Sequence, residues 1–297
     1  MEKIHISECP VCTVNNAKKV FDCNDFLVSN EKFTLFCCKN CGFTFTQDFP
    51  SQSEIGRYYD APEYVSHSDT QRGVINFLYH FVRKIALRSK VKLVENQSFV
   101  QKGNILDIGA GTGYFLNAMK RAGWTVSGIE KSDSARAFAY KKFGLNFDAG
   151  HLRQTADNLL SAVTLWHVLE HLENLNDTLD SIYQILKPDG VLIIALPNKN
   201  SADARHYREF WAAYDVPRHL WHFSPSNLQQ LAENHNFTIT KIKPMFFDPF
   251  YISMLSEKHK NTPAATFVGL IKGAIFTIQS ILNKNNCSSL IYILKKR

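Results

Sequence analysis

The stretch "NILDIGAGTGYF" (104–115) runs an apolar segment, Ile105-Leu106-Asp107-Ile108, into three closely spaced glycines, Gly109, Gly111 and Gly113. The following run, "YFLNAMKRAG", has helical character. A strand, a glycine-rich turn and a helix N-terminus form a cradle for a nucleotide-like ligand. The turn lets the ligand approach the backbone, and the first helical N–H groups point at it. Outward from this unit the pattern alternates. Strands are expected at 104–108, 125–130, 145–148, 162–167 and 191–196, and helices near 113–122, 133–143 and 174–186. Such alternation predicts a parallel, doubly wound α/β sheet. A helix over 225–235 and a strand over 237–243 come later. The terminal "SSLIYILKK" alternates as a strand does. It follows a helical insertion at about 252–283 and is expected to return to the sheet antiparallel.

The turn excludes one ligand class. A nicotinamide site needs G-x-G-x-x-G, whose third glycine lets helix pack on strand, and that position is Tyr114. Asp107 ends the strand two residues before Gly109, where a carboxylate would repel a pyrophosphate. It suits a cofactor that carries positive charge, such as S-adenosylmethionine with its ammonium and sulfonium, while the helix N-terminus can take the cofactor's carboxylate. Glu130 ends the next strand, "TVSGIE", and can accept two hydrogen bonds from a ribose diol.

Together "LDIGAGTGYF", "GIE", "LWHVLEHLEN", "LKPDGVLIIALPN" and "DVPRHLWHFSPSNL" resemble the class I S-adenosylmethionine-dependent methyltransferases. They are most similar to the bacterial group akin to the ubiquinone-pathway O-methyltransferases. The resemblance covers about residues 100–245, plus the terminal strand. It implies a Rossmann-like seven-stranded sheet whose last strand is antiparallel. It implies cofactor contacts from Asp107, Gly109, Gly111 and Glu130, and Ala110, Tyr114, Lys131 and Trp166 are further candidates beside them. Such proteins carry an acid near the adenine amine after the third strand. Here His151 and Leu152 stand there, with Asp148 slightly early.

Methyl transfer is an in-line displacement that needs an aligned nucleophile and, for a hydroxyl or an acidic C–H, a proton acceptor. "LWHVLEHL" (165–172) places His167, Glu170 and His171 at the carboxyl end of the fourth strand. His167 and His171 are candidates for proton transfer; the alternative is packing on the cofactor and capping of the next helix. His167 also counts as a cofactor contact. "DVPRHLWHF" (215–223) offers Arg218, His219 and His222, with His219 a third catalytic candidate and Arg218 either a substrate anchor or an internal salt bridge. "YYDAPEYVSH" (58–67) precedes the core. Its Tyr64 and His67 are expected to close over the cofactor.

"CPVC" (9–12) and "CKNC" (38–41) are two C-x-x-C hooks in a chain of seven cysteines. Cys9, Cys12, Cys38 and Cys41 fit a tetrahedral structural Zn²⁺ site, and the following "GFTF" fits a zinc-ribbon knuckle. Iron in a rubredoxin-like centre is the alternative. The organisation read from the chain is a zinc-ribbon-like module at 1–48, a helical cofactor-covering segment at 49–100 and a methyltransferase domain at 101–297.

The N-terminus lacks the form of a signal peptide, so a cytoplasmic protein with reduced thiols is expected. The formal charge of +7 permits an anionic partner without choosing one. The leading reading is an enzyme methylating an O or C atom of a small or medium molecule: a sugar nucleotide, a quinone-like compound or a lipid-linked intermediate. The alternative is an RNA methyltransferase whose ribbon grips phosphate. "AATFVGLIKGAIFTIQSIL" (264–282) is too broken for a membrane span. Phe267, Ile271, Ile275, Ile278 and Leu282 recur at helical spacing, so an amphipathic helix is expected, packed on the protein or docked at the inner membrane surface.

Overall fold

A cysteine-rich module begins the chain. Strand β1 (Lys3–Ile4) pairs antiparallel with β5 (Phe49–Pro50), and β2 (Ala17–Asn24), β3 (Lys32–Cys38) and β4 (Thr44–Gln47) form an antiparallel meander. The structure, a computed structural model, describes residues 2–51, 53–59, 74–98, 102–150 and 158–297, with backbone alone for 74–82. After the module comes α1 (Val74–Gln97), then β6 (Asn104–Ile108), α2 (Tyr114–Arg121), β7 (Thr125–Ile129), α3 (Asp133–Phe143), β8 (Leu160–Trp166), α4 (Leu175–Ile185) and β9 (Leu186–Pro197). A short helix α5 (Ala202–Tyr207) and strand β10 (Trp221–His222) precede α6 (Pro225–Asn234) and β11 (Phe237–Pro244). A helical hairpin, α7 (Asp248–His259) and α8 (Ala265–Leu282), leads to β12 (Ser289–Lys296).

Six strands make the main sheet in the order β11-β12-β9-β8-β6-β7. β12 lies antiparallel to both neighbours, and β9, β8, β6 and β7 are mutually parallel. This is the α/β, Rossmann-like architecture expected. The seventh strand position is reduced to a single parallel bridge, Ile129 to Asp148. "LSAVTLW" and the central part of β9 are buried on both sides, as parallel strands covered by helices must be. The chain leaves β6 toward β7 and later returns to β8 on the other flank of β6. The carboxyl ends of β6 and β8 therefore form a topological switch point, where open α/β sheets hold ligands.

The cysteine module is not a separate bead. β10 extends its sheet, pairing Trp221 with Phe45 and His222 with Thr44. Phe43, Phe45 and Phe49 share one core with Trp221, Phe223, Leu228 and the sheet residues Leu192 and Ile194. On the opposite face of the sheet, Leu93 and Val94 of α1 pack with Leu116, Met119 and Trp124.

The helix expected at 264–282 is α8, but its orientation differs from a core-facing amphipathic helix. Phe267, Ile271, Ile275, Ile278 and Leu282 point outward, and the inner face is Gly269, Gly273, Phe276 and Ser280.

Candidate active site

The glycines act through different constraints. Gly109 has φ +72°, and a Cβ there would lie 2.3 Å from Cγ2 of Val168. The end of β6 thus presses against the chain leaving β8, which only glycine permits. Gly111 has φ +52°, and a Cβ there would meet no atom within 4 Å, so the turn opens onto free space. α2 starts beyond Gly113 without a side-chain cap, leaving its first N–H groups available.

Two carboxylates flank this opening. Glu130 accepts hydrogen bonds from the Gly111 N–H and the Ser132 N–H, both at 2.8 Å. Each oxygen keeps a lone pair, so a vicinal diol can still donate to both. Asp107 is buried and accepts a 2.6 Å hydrogen bond from the Thr164 hydroxyl. Burial pushes its pKa up, opposed by the Thr164 hydroxyl and by the Lys90 ammonium. Lys90 comes from α1, with its Nζ 4.1 Å from the centre of the Trp166 ring. Burial lowers Lys90, while Asp107 and Asp248 hold its charge. In this structure the Trp166 face and the Asp107 carboxylate thus already hold one cation, the Lys90 ammonium.

Ala110 is buried in the turn, and its N–H donates to the Ile129 carbonyl. The Tyr114 ring sits between Arg83 of α1, 4.0 Å from its centroid, and Phe143 of α3. Lys131 is exposed, and its carbonyl accepts from Arg136. Tyr64, His67, His151 and Leu152 lie outside the described residues.

Beside the cradle stands a histidine–carboxylate cluster. His167 follows β8 with φ +58°, an uncommon conformation for a non-glycine residue and one that often marks a functional position. Its Nδ1 lies 3.4 Å from Glu170 and its Nε2 3.4 Å from Asp248 at the start of α7. Burial opposes the charge, but hydrogen bonding to Asp248 and Glu170 and their negative charges raise His167 to about 9. His171 behaves oppositely: burial, then the neighbouring His219, lowers it to about 4. Two imidazoles four residues apart are thus driven to opposite protonation states, as in acid–base sites.

The tautomers follow from the partners. The Arg218 carbonyl can only accept, so His171 Nδ1–H donates to it at 3.0 Å, with the Tyr59 hydroxyl 3.1 Å from the same nitrogen. His219 Nδ1–H likewise donates to the Ala213 carbonyl at 2.9 Å. His171 therefore keeps Nε2 as a lone pair. Of fully buried Glu170, one carboxylate oxygen faces His167 Nδ1 at 3.4 Å and the other makes no hydrogen bond among the described residues. Glu170, His171 and His219 offer ligand atoms within 4.8 Å of one another, so the trio can hold a proton in flight or a cation.

Arg218 faces inward. It donates to Asp25 and Asp215, each at 2.8 Å, and to the Tyr58 carbonyl at 2.7 Å. It locks the loop before β10 to the cysteine module. His222 is buried and held neutral by that burial, its Nε2 3.1 Å from the Thr46 hydroxyl. Lys90, Thr164 and Asp248 escaped the sequence reading. Each lies far in sequence from the glycine turn and reaches it only through tertiary packing.

The four hook cysteines converge, with Cys9 and Cys41 sulfurs 3.5 Å apart and Cys12 and Cys38 sulfurs 3.6 Å apart. These spacings approach the ~3.8 Å edge of a tetrahedron with Zn–S near 2.3 Å. The two hooks are built alike. Thr13 N–H donates to the Cys9 carbonyl and Gly42 N–H to the Cys38 carbonyl, with Thr13 and Gly42 both at positive φ. Donors from the sheet domain fasten both: Asn176 to the Pro10 carbonyl, Asn234 to Val11, Asn227 to Cys41 and Lys199 to Gly42.

The profile of the methyltransferase domain family matches residues 78–242, more than half of the chain. The ubiquinone biosynthesis O-methyltransferase of Rickettsia bellii (strain OSU 85-389) is 24% identical over 206 residues, covering 63% of this chain and 83% of that protein. The mitochondrial ubiquinone biosynthesis O-methyltransferase of Bos taurus is 28% identical over 163 residues, covering 49% and 44%. Among solved structures, geranyl diphosphate C-methyltransferase from Streptomyces coelicolor A3(2) superposes with a TM-score of 0.52 at 11% identity, covering 77% of this chain and 88% of that one. With that fold, and with the glycine turn and its two carboxylates at the switch point, the chain belongs to the methyltransferase domain family and is an S-adenosylmethionine-dependent methyltransferase.

Proposed function

We propose that the enzyme methylates an acidic hydroxyl or an activated carbon of a small or medium molecule, with a quinone-like, lipid-linked or sugar-nucleotide acceptor as the substrate class. The cofactor side of this reading rests on the cradle. Asp107 and the Trp166 face receive the positive methionine end, the N–H groups of α2 its carboxylate, and Glu130 the ribose diol. S-adenosylmethionine supplies the electrophilic methyl and the leaving group.

The observation that carries the proposal is neutral His171, its Nε2 unprotonated, with the buried Glu170 carboxylate within 4.8 Å of it at the carboxyl end of β8. An acceptor hydroxyl at this place can give its proton to the imidazole as the methyl arrives, and Glu170 stabilises the imidazolium that forms. Cationic His167 holds Glu170 and Asp248 in place. The likeness to ubiquinone-pathway O-methyltransferases favours a phenolic acceptor. The four-cysteine module holds one structural zinc in this reading, fastening the loop that carries His219.

The test is methyl capture from labelled S-adenosylmethionine into host extract separated into polar metabolites, lipids and RNA. Label in metabolites or lipids supports the proposal, and label confined to RNA overturns it. With the acceptor in hand, His171→Gln is expected to lower kcat by about 10²–10⁴-fold while cofactor affinity stays near wild type.

A further inference from the structure

The α7–α8 hairpin is built inside out. In α8 the small residues face the protein. A Cβ on Gly269 would fall 2.4 Å from the Met254 Cα, and one on Gly273 2.6 Å from the Phe250 Cα, so the two helices touch backbone to backbone. Phe276 and Ser280 complete this buried face. Large apolar side chains occupy the opposite face. Phe267, Leu270, Ile271, Ile275, Ile278 and Ile281 are all exposed, at 66% for Phe267 and 58% for Ile278. At about 100° per residue these positions fall on one continuous arc of roughly 140°, with no charged residue inside it. Thr277 on α8 donates to the Phe246 carbonyl, which brings exposed Phe246 and Phe247 beside the same stripe.

Packing small residues inward and large apolar residues outward is what a helix does when its surroundings are lipid. The helix is not free to span, because α7 packs it against the body of the enzyme through buried Ile252, Ser253 and Ser256. One face on protein and one face outward is the geometry of an element lying in the plane of a membrane interface.

Charge selects the kind of surface. From the start of α7 to residue 297 there are two acids: Asp248, which faces His167, and Glu257, which is buried and hydrogen-bonded to Tyr207 and Thr262. The same segment carries Lys258, Lys260, Lys272 and Lys284 around the hairpin, and Lys295, Lys296 and Arg297 beyond it. A second copy on the same patch would bring these cations together, whereas an anionic bilayer offers them counter-charge.

We propose that the outer face of α8, with Phe246 and Phe247, docks this enzyme on the surface of an anionic lipid bilayer. The proposal goes beyond the methyl-transfer reading and does not depend on it. Its consequence for the site comes through Asp248, the first residue of α7 and the partner of His167. The docked hairpin stands beside the active site, so an acceptor dissolved in the membrane has a short route to it.

The test is sedimentation of the full chain with phosphatidylcholine vesicles, with and without phosphatidylglycerol. Binding is expected to the phosphatidylglycerol vesicles and to weaken with salt. Ile271→Asn/Ile278→Asn is expected to bind them at least about ten-fold more weakly. That variant must keep the wild-type circular dichroism spectrum. If it fails to fold, Lys272→Glu/Lys284→Glu takes its place, with weaker binding to the anionic vesicles again expected. Failure of the wild type to sediment with either vesicle overturns the proposal. So does a folded apolar variant that binds as the wild type does. A lipid-free dimer by light scattering that the apolar variant dissolves would assign the face to a second copy instead.

Discussion

Asp248 at the start of α7 sits 3.4 Å from Nε2 of His167 at the end of β8, joining the helical hairpin to the histidine–carboxylate cluster. Together with Glu170 it holds a cation on His167, raising that imidazole to about 9, while His171 falls to about 4. The stability consequences have opposite signs. The folded-state pKa of His167 lies above its ordinary 6.5, so its contribution is complete below about pH 6.5 and disappears as pH rises toward 9. For His171 the folded value lies below 6.5, so its contribution is complete above 6.5 and is lost as pH falls toward 4. Thermal melts across this range should therefore decline on both sides. Asp248→Asn should flatten the alkaline decline and bring the His167 ring signal in NMR titration back toward 6.5. An unchanged His167 titration in that variant would remove Asp248 as the cause.

Cofactor affinity tests the cradle. Glu130→Ala removes the acceptor of the Gly111 and Ser132 N–H groups as well as the proposed diol contact. Charge-assisted hydrogen bonds contribute about 1.5–3 kcal/mol each, so S-adenosylmethionine should bind roughly 10–100-fold more weakly in isothermal titration. Asp107→Ala should also weaken binding, and it leaves the Thr164 hydroxyl and Lys90 without their carboxylate. Wild-type affinity in both variants would place the cofactor elsewhere.

The strand, glycine turn, Asp107 and Glu130 were legible in the sequence because they lie within one strand–turn–helix–strand unit, where local spacing dictates geometry. The cysteine hooks were legible for the same reason. Lys90 and Asp248 were not, since they come from helices about 17 residues before and 140 residues after Asp107 and converge only through tertiary packing. Arg218 read equally well as a substrate anchor or a salt bridge. Only the fold shows Asp25 and Asp215 waiting for it. For α8 the apolar periodicity was visible but not its direction. The Gly269-x-x-x-Gly273 spacing held that information: two glycines one turn apart allow the close approach that turned the large residues outward.

The cysteine module should report on the active site. Thr46 on β4 holds both strands together here: its N–H donates to the Leu220 carbonyl and its hydroxyl to the His219 carbonyl. We expect about one zinc per chain by elemental analysis. Cys38→Ser/Cys41→Ser should lose the metal and lower the melting temperature. It should also lower kcat more than it weakens cofactor binding, since the His219 loop is disturbed and the glycine turn is not. A metal-free wild type with a cooperative melt would exclude the structural zinc.

Arg218 and Asp25 form an ion pair with both side chains almost wholly buried, 1% and 0% exposed. Asp25 is held further by the N–H groups of Leu27 and Ser29 and by the Ser29 hydroxyl, which with Arg218 keep its carboxyl below the usual range despite burial. Removing Arg218 strands the Asp25 carboxylate in a dry environment, a loss of about 3–5 kcal/mol, whereas Asp25→Asn leaves Arg218 on Asp215. Arg218→Met should therefore cost several kcal/mol in denaturant unfolding. Arg218→Met/Asp25→Asn should cost less than the sum of its single changes, because the buried Asp25 carboxylate is no longer left without its cation, although Asp215 still loses Arg218. Additive losses would mean that the pair does not couple the module to the sheet domain. The two units would then be joined by the β10–β4 pairing, the donors to the cysteine hooks and the shared apolar core of Phe43, Phe45 and Trp221.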